Sequence, residues 1–364
     1  MKITCPKERL LMAISQIQGA ISPKTTLPIL ANVLLEADAG VLTLTATDLD
    51  IGIQYKIPVE VAEPGASTLP AKRLFSIIRE LPEGDVEITI NSAHAAIITC
   101  ASAYFRVVGI GREEFPKLPE FPDAKNYEIS QAMLKEMINK TSYSMCHDES
   151  RYVLNGIYMI VKGNKMTMVA TDGRRLALIE KHVNLPKGAE LDLIIPQKTV
   201  QELVKLINGE GVVNIVLAKN QIAFKLQNCI LISRLVEGSY PNFRQVIPEG
   251  LEQKIAVNRE ELLAAVKRST LVANDRSNSI KLNFMPQHLV ISANTPDVGE
   301  SRESINIPYT GKDIEVAFNP NYIVDVLKNL EDQEIMFEVT DSVNPGIIRT
   351  GPEFLYVIMP MRLT

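Results

Sequence analysis

The chain has 364 residues, of which 46% are hydrophobic and 22% charged, and its formal net charge is −5. This composition is typical of globular proteins and argues against long disordered segments. No apolar stretch approaches the roughly 20 residues that a membrane-spanning helix needs, and residues 1–6 lack the apolar core of a signal peptide. Cys5, Cys100, Cys146 and Cys229 form no CxxC pair, so we expect reduced, buried thiols in a cytoplasmic protein without membrane contact.

Amphipathic helices and short strands alternate in a pattern that occurs three times along the chain. Helical spacing of apolar residues predicts helices, in chain order, over 6–21, 71–81, 130–145, 197–208, 258–273 and 320–330. Between them lie short runs rich in apolar and threonine residues, such as 41–45 and 165–169, which predict strands. Two helices against several strands in each copy predict an α+β fold, with the helices packed on antiparallel sheet.

Two sequence markers repeat with the same period as the elements. The triplet Ala-Thr-Asp at 46–48 recurs at 170–172 and, more loosely, over 293–297. Pro70, Pro196 and Pro320 each lie at the start of a helical run, and proline is favoured in the first turn of a helix. Both periods are about 124 residues, so the sequence predicts three copies of one domain. The predicted domains span 1–120, 128–246 and 254–364, and proline-rich joints over 115–122 and 240–250 separate them as stiff spacers.

The charge of the chain is distributed unevenly between the helices and the remaining residues. The six predicted helices carry 13 Lys and Arg residues against 7 Asp and Glu, a net of +6, whereas the remainder carries −11. Basic helices in an acidic chain would present a positive face to a polyanion such as DNA. The alternative is that Lys and Arg are simply good helix formers on solvated faces. Because no zinc finger, basic zipper or dense arginine cluster occurs, any DNA contact would be to phosphates, independent of sequence.

The residue types that enzymes use for catalysis form no recognised arrangement in this sequence. The histidines at 94, 147, 182 and 288 are scattered, and no pair has metal-ligand spacing. A metal-dependent phosphohydrolase could use His147 with Asp148, but the further ligands have no obvious source, and a loop histidine is the simpler interpretation. Glycine-rich phosphate loops, nucleophile elbows and dinucleotide fingerprints do not occur. We therefore expect a protein that is not an enzyme and has no cofactor or metal, with the Thr-Asp pairs at 47–48 and 171–172 capping turns.

The last ten residues combine a predicted strand with a second apolar segment. Residues 355–358 predict the strand, and Met359, Pro360 and Met361 follow it. Methionines near a chain end indicate an adaptable apolar surface to which other chains can bind. The alternative is a final strand that packs only in its own sheet. Both can hold if the strand is buried while the methionines line a groove.

Several motifs together resemble those of the bacterial DNA polymerase III beta subunit, or beta sliding clamp, family. They are TLPIL at 26–30, ATDL at 46–49, RYVLNG at 151–156, ATDGRRL at 170–176 and MPMRL at 359–363. The resemblance extends from Met1 to Leu363 without a large gap. It implies three clamp domains per chain and a head-to-tail homodimer that closes a ring. Twelve helices would line the inner wall and continuous sheet would form the outside, so that this chain makes half of the closed ring.

The resemblance also implies three sets of functional residues. Duplex DNA would be faced by Lys24, Lys72, Asp148, Tyr152 and Val153. A groove for partner peptides would be built from Leu154, Thr171, Gly173, Arg174, Arg175, Leu176, Pro241, Gln245, Val246, Tyr322, Pro345, Met359, Pro360, Met361 and Arg362. In the joint between two copies, Phe105 and Val107 of one chain would meet Leu271 and Val272 of the other.

A DNA processivity factor is the function that this resemblance implies. As a ring homodimer the protein would encircle double-stranded DNA independently of sequence and could not leave it sideways. It would tether DNA polymerases through clamp-binding peptides, at high effective concentration. A clamp loader, also bound through such peptides, would open one joint. Two alternatives remain: a peptide-binding scaffold that does not encircle DNA, and the metal phosphohydrolase built on His147 and Asp148.

Overall fold

The computed structural model describes residues 1–22, 27–121, 125–186, 188–248, 253–273, 279–296 and 298–362. The helices in these ranges are α1 (Lys7–Ile17), α2 (Ala71–Glu80), α3 (Gln131–Asn139), α4 (Gln197–Leu206), α5 (Arg259–Thr270) and α6 (Pro320–Lys328). The strands of the first third of the chain are β1 (Lys2–Pro6), β2 (Asn32–Asp38), β3 (Val41–Thr47), β4 (Ile51–Pro58), β5 (Glu60–Glu63), β6 (Gly65–Pro70), β7 (Asp85–Ile90), β8 (Ala95–Cys100) and β9 (Ala103–Val108).

The other two thirds repeat this order of elements, except that no strand among their described residues corresponds to β5. The strands of the middle third are β10 (Lys125–Ser130), β11 (Gly156–Lys162), β12 (Lys165–Thr171), β13 (Arg175–His182), β14 (Glu190–Pro196), β15 (Val212–Ala218), β16 (Gln221–Lys225) and β17 (Cys229–Arg234). Those of the last third are β18 (Gln253–Asn258), β19 (Ile280–Met285), β20 (His288–Thr295), β21 (Gly299–Asn306), β22 (Ile314–Phe318), β23 (Glu334–Val339), β24 (Gly346–Thr350) and β25 (Phe354–Ile358). The predicted α+β fold, with three similar domains of helices over antiparallel sheets, is confirmed.

All six predicted helices form, but each ends earlier than predicted. The largest difference is in the segment predicted as 130–145, where α3 ends at Asn139 and a separate 3₁₀ turn covers Ser142–Ser144. The Thr141 hydroxyl donates a hydrogen bond to the Met137 carbonyl at 2.8 Å, and such a side-chain bond competes with continuation of the helix. Periodicity alone did not reveal this local stop.

Asparagine side chains cap two of the helices, and the repeated prolines lie at or directly before the start of three. Asn258 caps α5, because its side chain accepts hydrogen bonds from the backbone N–H groups of Glu260 and Glu261, both at 3.0 Å. Asn319 caps α6 in the same manner. Of the three marker prolines, only Pro320 lies within a helix, whereas Pro70 and Pro196 end the preceding strands. All three prolines therefore mark the start of a helix, as predicted, although only Pro320 lies in the first turn itself.

The chain divides into two compact units, each containing one eight-stranded sheet and one smaller sheet. The first unit comprises Met1–Met133 and Gln201–Leu235, and its sheets have the orders β10-β15-β16-β17-β4-β3-β2-β6 and β5-β1-β7-β8-β9. The second comprises Leu134–Val200 and Val236–Thr364, with the orders β14-β11-β12-β13-β25-β24-β23-β18 and β21-β20-β19-β22. The strand pairs that the described residues form are antiparallel.

Each eight-stranded sheet contains one strand pair whose two strands come from different thirds of the chain. We call these pairs seams. The first seam pairs β17 with β4, and the second pairs β25 with β13. The corresponding strands β9 and β21 lie at the edges of the two smaller sheets, each with one side of its backbone unpaired in the described part of the chain. The same strand pairing thus occurs twice, and β9 and β21 lack the corresponding partner among the described strands.

The cores lie where the helices cover the sheets. Along α1, the apolar face formed by Leu10, Ala13, Ile14 and Ile17 is buried, and α1 packs against α2 and β4. All four cysteines are free and buried, as predicted. No helix in the described ranges is both long and apolar enough to cross a membrane.

Candidate functional site

The predicted Thr-Asp pairs form tight hydrogen-bonded turns. We call residues Thr171–Arg175, between β12 and β13, the rim turn. The Thr171 hydroxyl accepts from the N–H of Gly173 at 3.0 Å and donates to the carbonyl of Arg175 at 2.6 Å. One carboxylate oxygen of Asp172 accepts from the backbone N–H groups of Arg174 and Arg175, at 2.9 and 3.0 Å. The predicted capping role of these pairs is therefore confirmed.

The first copy builds the same turn from a different sequence. Thr47 and Asp48 make the corresponding hydrogen bonds to Leu49, Asp50 and Ile51. Gly173 has a φ of 85°, and Leu49 at the equivalent position has a φ of 80°, a left-handed conformation that non-glycine residues adopt at a cost. The hydrogen bonds of the threonine and aspartate thus determine this turn more strongly than the residue at its tip.

Arg175, at the end of the rim turn, is buried and donates three side-chain hydrogen bonds. Its Nε donates to Asp172 at 3.0 Å, its Nη1 to the carboxylate of Asp325 at 2.6 Å, and its Nη2 to the carbonyl of Tyr143 at 2.6 Å. The guanidinium carbon also lies 4.4 Å from the centroid of the Tyr322 ring. Only 8% of this residue is exposed. Arg175 therefore connects the rim turn to helix α6.

The groups around Arg175 favour its charged form. Burial by itself would lower the pKa of this guanidinium, but the carboxylates of Asp325 and Asp172 raise it above its ordinary value. Burial also raises the pKa of Tyr356, whose hydroxyl donates to the carbonyl of Tyr322 at 2.9 Å. A neutral tyrosine and a permanent cation therefore lie beneath the rim turn.

The C-terminal segment Met359–Arg362, which we call the tail, runs beside the rim turn. The Met359 N–H donates to the carbonyl of Arg174 at 3.0 Å, and the Met361 N–H donates to the carbonyl of Ala317 at 2.8 Å. Before the tail, β25 is buried between β13 and β24. Met359 is nevertheless 43% exposed. The predicted final strand is therefore packed in its sheet, while Met359 remains at the surface.

A buried apolar cluster lies next to these polar contacts. Leu176 pairs with Val357 across the second seam, and both pack with Phe243 in one buried cluster. Tyr240 stacks on Tyr158, with ring centroids 4.6 Å apart, at the edge of the same cluster. The structure thus brings the cluster around Leu176, the rim turn, Tyr322 and the tail together through direct contacts.

The predicted groove residues differ in exposure. Gly173, Arg174, Pro241, Gln245, Val246, Met359 and Arg362 are exposed; Leu154, Thr171, Tyr322, Pro345, Pro360 and Met361 are half-buried; Arg175 and Leu176 are buried. Val343, in the loop that carries Pro345, is 75% exposed and was not predicted. An isolated valine in a loop sequence gives no signal of this exposure.

The residues predicted to face DNA lie in two separate segments. Lys24 lies outside the described residues. Lys72 is exposed in the first turn of α2, where it lines a shallow concavity with Ala31, Pro70, Arg73 and Ser76. Lys72 and Arg73 form no ion pair with another described residue. They can therefore offer two positive charges to an anion.

The second predicted DNA-facing segment is the 3₁₀ turn Glu149–Leu154. Asp148 caps it, since its carboxylate accepts from the Ser150 hydroxyl at 2.7 Å and from the Ser150 N–H at 3.0 Å. These hydrogen bonds lower the pKa of Asp148. Tyr152 is exposed and Val153 half-buried. Arg151 donates to the carbonyl of Asp172 at 3.3 Å, which joins this segment to the rim turn.

The possible hydrolase pair does not converge on further ligands. His147 Nδ1 lies 2.7 Å from the Gln197 side-chain nitrogen, while the Asp148 carboxylate accepts a hydrogen bond from the Ser150 hydroxyl. Among the residues that the structure describes, no group of three or more His, Cys, Asp or Glu side chains could hold a metal ion.

The predicted joint residues lie on strand β9 and at the end of α5. Phe105 is partly exposed, but Val107 faces its own core and is buried. Leu271, directly after α5, is 81% exposed, and Val272 is half-buried. The other face of β9 carries Tyr104, Arg106 and Val108, which are all exposed and were not predicted. The alternation of side chains along a strand could have indicated them.

Comparison with known proteins gives one family along the whole chain. The DNA polymerase III beta subunit family matches in three parts, with the N-terminal domain over 1–119, the central domain over 128–242 and the C-terminal domain over 244–362. The beta sliding clamp of Chlamydia muridarum is 37% identical over 100% of this chain and 99% of that protein. The Escherichia coli K12 beta sliding clamp is 33% identical, with both proteins covered in full.

The solved structures that are similar to this chain are also sliding clamps. The DNA polymerase sliding clamp from Bacillus subtilis is 32% identical and superimposes with a TM-score of 0.95, with 100% of both chains covered. The sliding clamp of Pseudomonas aeruginosa bound to griselimycin is 31% identical, also with a TM-score of 0.95 and full coverage of both chains. With matches in all three domains and over its full length, this chain belongs to the beta sliding clamp family, the beta subunits of bacterial DNA polymerase III.

Proposed function

We propose that two copies of this chain close a ring that encircles duplex DNA without reading its sequence, and that the ring tethers DNA polymerases through the groove beside the rim turn. The single observation that carries the ring is the pair of free edges, β9 and β21, left over when each equivalent strand is paired in a seam. Three domains, over 1–120, 128–246 and 254–364, belong to this proposal, which involves no catalytic step, cofactor or metal. We place this activity in the cytoplasm.

The repeat gives a register for the joint between copies. In the two seams Gly52 pairs with Ile232, and Leu176 with Val357. Gly52 and Leu176 each directly precede the residue that pairs with the repeated alanine, since Ile53 pairs with Ala46 and Ala177 with Ala170. In the third copy Ser301 pairs with Ala293, so Glu300 holds the equivalent position.

The partner of Glu300 follows from the other strand. The isolated bridges Thr68–Ile110 and Ile194–Val236 correspond, which places Arg106 on β9 where Ile232 lies on β17. Arg106 of one copy would therefore lie opposite Glu300 of the other. Both are exposed in the single chain. Opposite charges directly across a strand pair are favourable, which supports antiparallel pairing of β9 with β21.

The charge distribution supports DNA inside the ring. The six helices of the described chain carry 12 Lys and Arg residues against 7 Asp and Glu, although the whole chain has a net charge of −5. A basic helical wall would attract phosphates, and acidic residues elsewhere would repel them. Because topology rather than affinity would keep the ring on DNA, contacts can stay weak and sliding can be fast.

The groove supports a peptide partner rather than a small molecule. Its predicted lining combines exposed apolar residues, Val246 and Met359, with exposed polar residues, Arg174 and Gln245. An extended peptide can bury alternate side chains against the apolar residues while its backbone bonds to polar groups beside them. We assign DNA polymerases and the clamp loader as partners that dock there.

Retention on circular DNA tests the proposed ring. Protein loaded by a clamp loader onto a nicked circular plasmid should stay bound through gel filtration in about 0.5 M salt, which screens phosphate contacts. Cutting the plasmid once should release it, because the ring can slide off an end. The measurement is the fraction of protein that co-elutes with DNA before and after cleavage.

The alternatives predict different outcomes of the same experiment. A scaffold that does not encircle DNA would bind polymerase peptides but elute equally from circular and cut plasmid. Equal release would therefore remove the ring from the proposal. Metal-dependent phosphate hydrolysis that is abolished by His147→Ala would instead support the hydrolase.

Reversing the charge of Lys72 should slow loading. Lys72→Glu places a negative charge in the exposed concavity at the start of α2, which weakens the attraction of phosphate. We expect the loading rate to fall several-fold at low salt, with a smaller difference at higher salt as the charges are screened. Lys219→Glu is the control, because it reverses the same charge in the turn between β15 and β16. Equal loading rates for both variants would contradict a DNA-facing role for Lys72.

A further inference from the structure

The rim turn is held from below by a residue outside the predicted groove. Asp325 lies on α6, and its carboxylate accepts the 2.6 Å hydrogen bond from Arg175. The same guanidinium donates to Asp172 in the rim turn and to the carbonyl of Tyr143. One cation thus joins three parts of the chain: the rim turn, helix α6 and the segment after α3.

The buried position of Arg175 argues against a direct role in binding a peptide. Three of its five N–H donors are directed at protein acceptors within 3.0 Å, and its face is covered by the Tyr322 ring at 4.4 Å. A peptide on the surface would meet Arg174, Gly173 and Tyr322 instead. Arg175 therefore acts on the surface by fixing the groups above it.

The first copy shows that the turn does not need this arginine to form. Ile51 occupies the position of Arg175, yet Thr47 and Asp48 make the same set of hydrogen bonds. The arginine in the second copy is therefore explained by its connections to Asp325 and Tyr143. Those connections determine where the turn lies relative to α6 and orient the ring of Tyr322.

We propose that Asp325 is a positioning residue for peptide binding: through Arg175 it holds the rim turn and Tyr322 in the arrangement that receives the peptide. This inference rests on the proposed function of the groove. The Asp325 side chain, 37% exposed, bonds to the buried Arg175, and Asp325 shares helix α6 with Tyr322. A double-mutant cycle with Arg175 separates this positioning effect from direct contact with the peptide.

Asp325→Asn is the central test, since it removes the charge while keeping the size of the side chain. The probe is a fluorescein-labelled peptide with the clamp-binding segment of a bacterial replicative polymerase, measured by anisotropy. We expect the peptide Kd to rise about tenfold, within the range of couplings carried by packed networks. Asp325→Glu, which keeps a carboxylate, should recover most of the affinity. Glu331→Gln, a neutralisation just beyond α6, should leave the Kd unchanged.

A double-mutant cycle separates positioning from general stability. In an Arg175→Met background, Asp325→Asn should have no further effect on the Kd, because the contact that it removes is already lost. If Arg175→Met fails to fold, Arg175→Gln, which also cannot form the ion pair, takes its place in the cycle. Melting temperature and dimer mass of Asp325→Asn should stay close to those of the wild type.

Two results would overturn the inference: a wild-type Kd for Asp325→Asn, or an effect of Asp325→Asn that persists in full in the Arg175 variant. A wild-type chain that fails to bind the peptide would instead refute the groove itself, and with it that part of the proposed function. The two failures are therefore distinguishable.

Discussion

Leu271→Asp should convert the proposed dimer into monomers without unfolding the chain. Leu271 is 81% exposed in the single chain, so the monomer gains little from it. In the proposed joint it would be covered by the partner, and burying a leucine contributes about 2 kcal/mol. A ring has two such joints, so the loss is about 4 kcal/mol, which weakens the dimer about a thousandfold. The cost of burying the new carboxylate adds to this loss.

Native mass spectrometry across a dilution series measures this effect. Val343→Asp is the matched control, because Val343 is also an exposed apolar residue, at 75%, but lies in the loop before Pro345. The control should remain dimeric at concentrations where Leu271→Asp is monomeric. A Leu271→Asp protein that stays dimeric upon dilution would show that this residue lies outside the joint.

Truncating Leu176 and truncating Met359 should affect different properties, although both belong to the predicted groove. Leu176 is only 2% exposed and packs in the cluster with Phe243 and Val357. Leu176→Ala should therefore leave a cavity and lower the free energy of unfolding by about 3 kcal/mol. Met359 is 43% exposed, so Met359→Ala should leave stability within about 0.5 kcal/mol. It should instead weaken polymerase-peptide binding about tenfold, since it removes apolar contact area.

Urea unfolding and peptide anisotropy, measured on the same samples, separate the two effects. Met12→Ala is the control for Met359, because Met12 is 45% exposed on α1, in the other compact unit. That control should change neither property. If Met359→Ala bound peptide as tightly as the Met12→Ala protein, the tail would not be part of the groove.

The sequence was sufficient to predict the repeat, the six helices and the apolar tail, because each of these features has a local sequence pattern. Helical periodicity located α1 to α6, and the Ala-Thr-Asp marker found the rim turn and its counterpart at Thr47. The end of α3 was missed, since it depends on one hydroxyl, that of Thr141, bonding to the preceding turn. Periodicity records which face of a helix is apolar and carries little information on where the last turn ends.

The contrasting roles of adjacent arginines could not be predicted from the sequence. Arg174 and Arg175 are identical in type, yet one is exposed and the other is buried against an aspartate 150 residues further along the chain. Only the folded chain brings Asp325 and Tyr143 to that side chain. The same reason explains Val107, which was predicted at the joint but faces its own core, while its neighbours Arg106 and Val108 are exposed.

The two internal seams have a thermodynamic consequence for the proposed ring. Within one chain, β17 meets β4 and β25 meets β13 at a local concentration that the connecting peptide sets, typically millimolar, however dilute the protein is. The joint between β9 and β21 of separate copies has no such tether, so it alone responds to cellular abundance. A ring assembled from three equivalent strand pairings per chain would therefore have a built-in latch, and opening it for DNA would leave every domain folded.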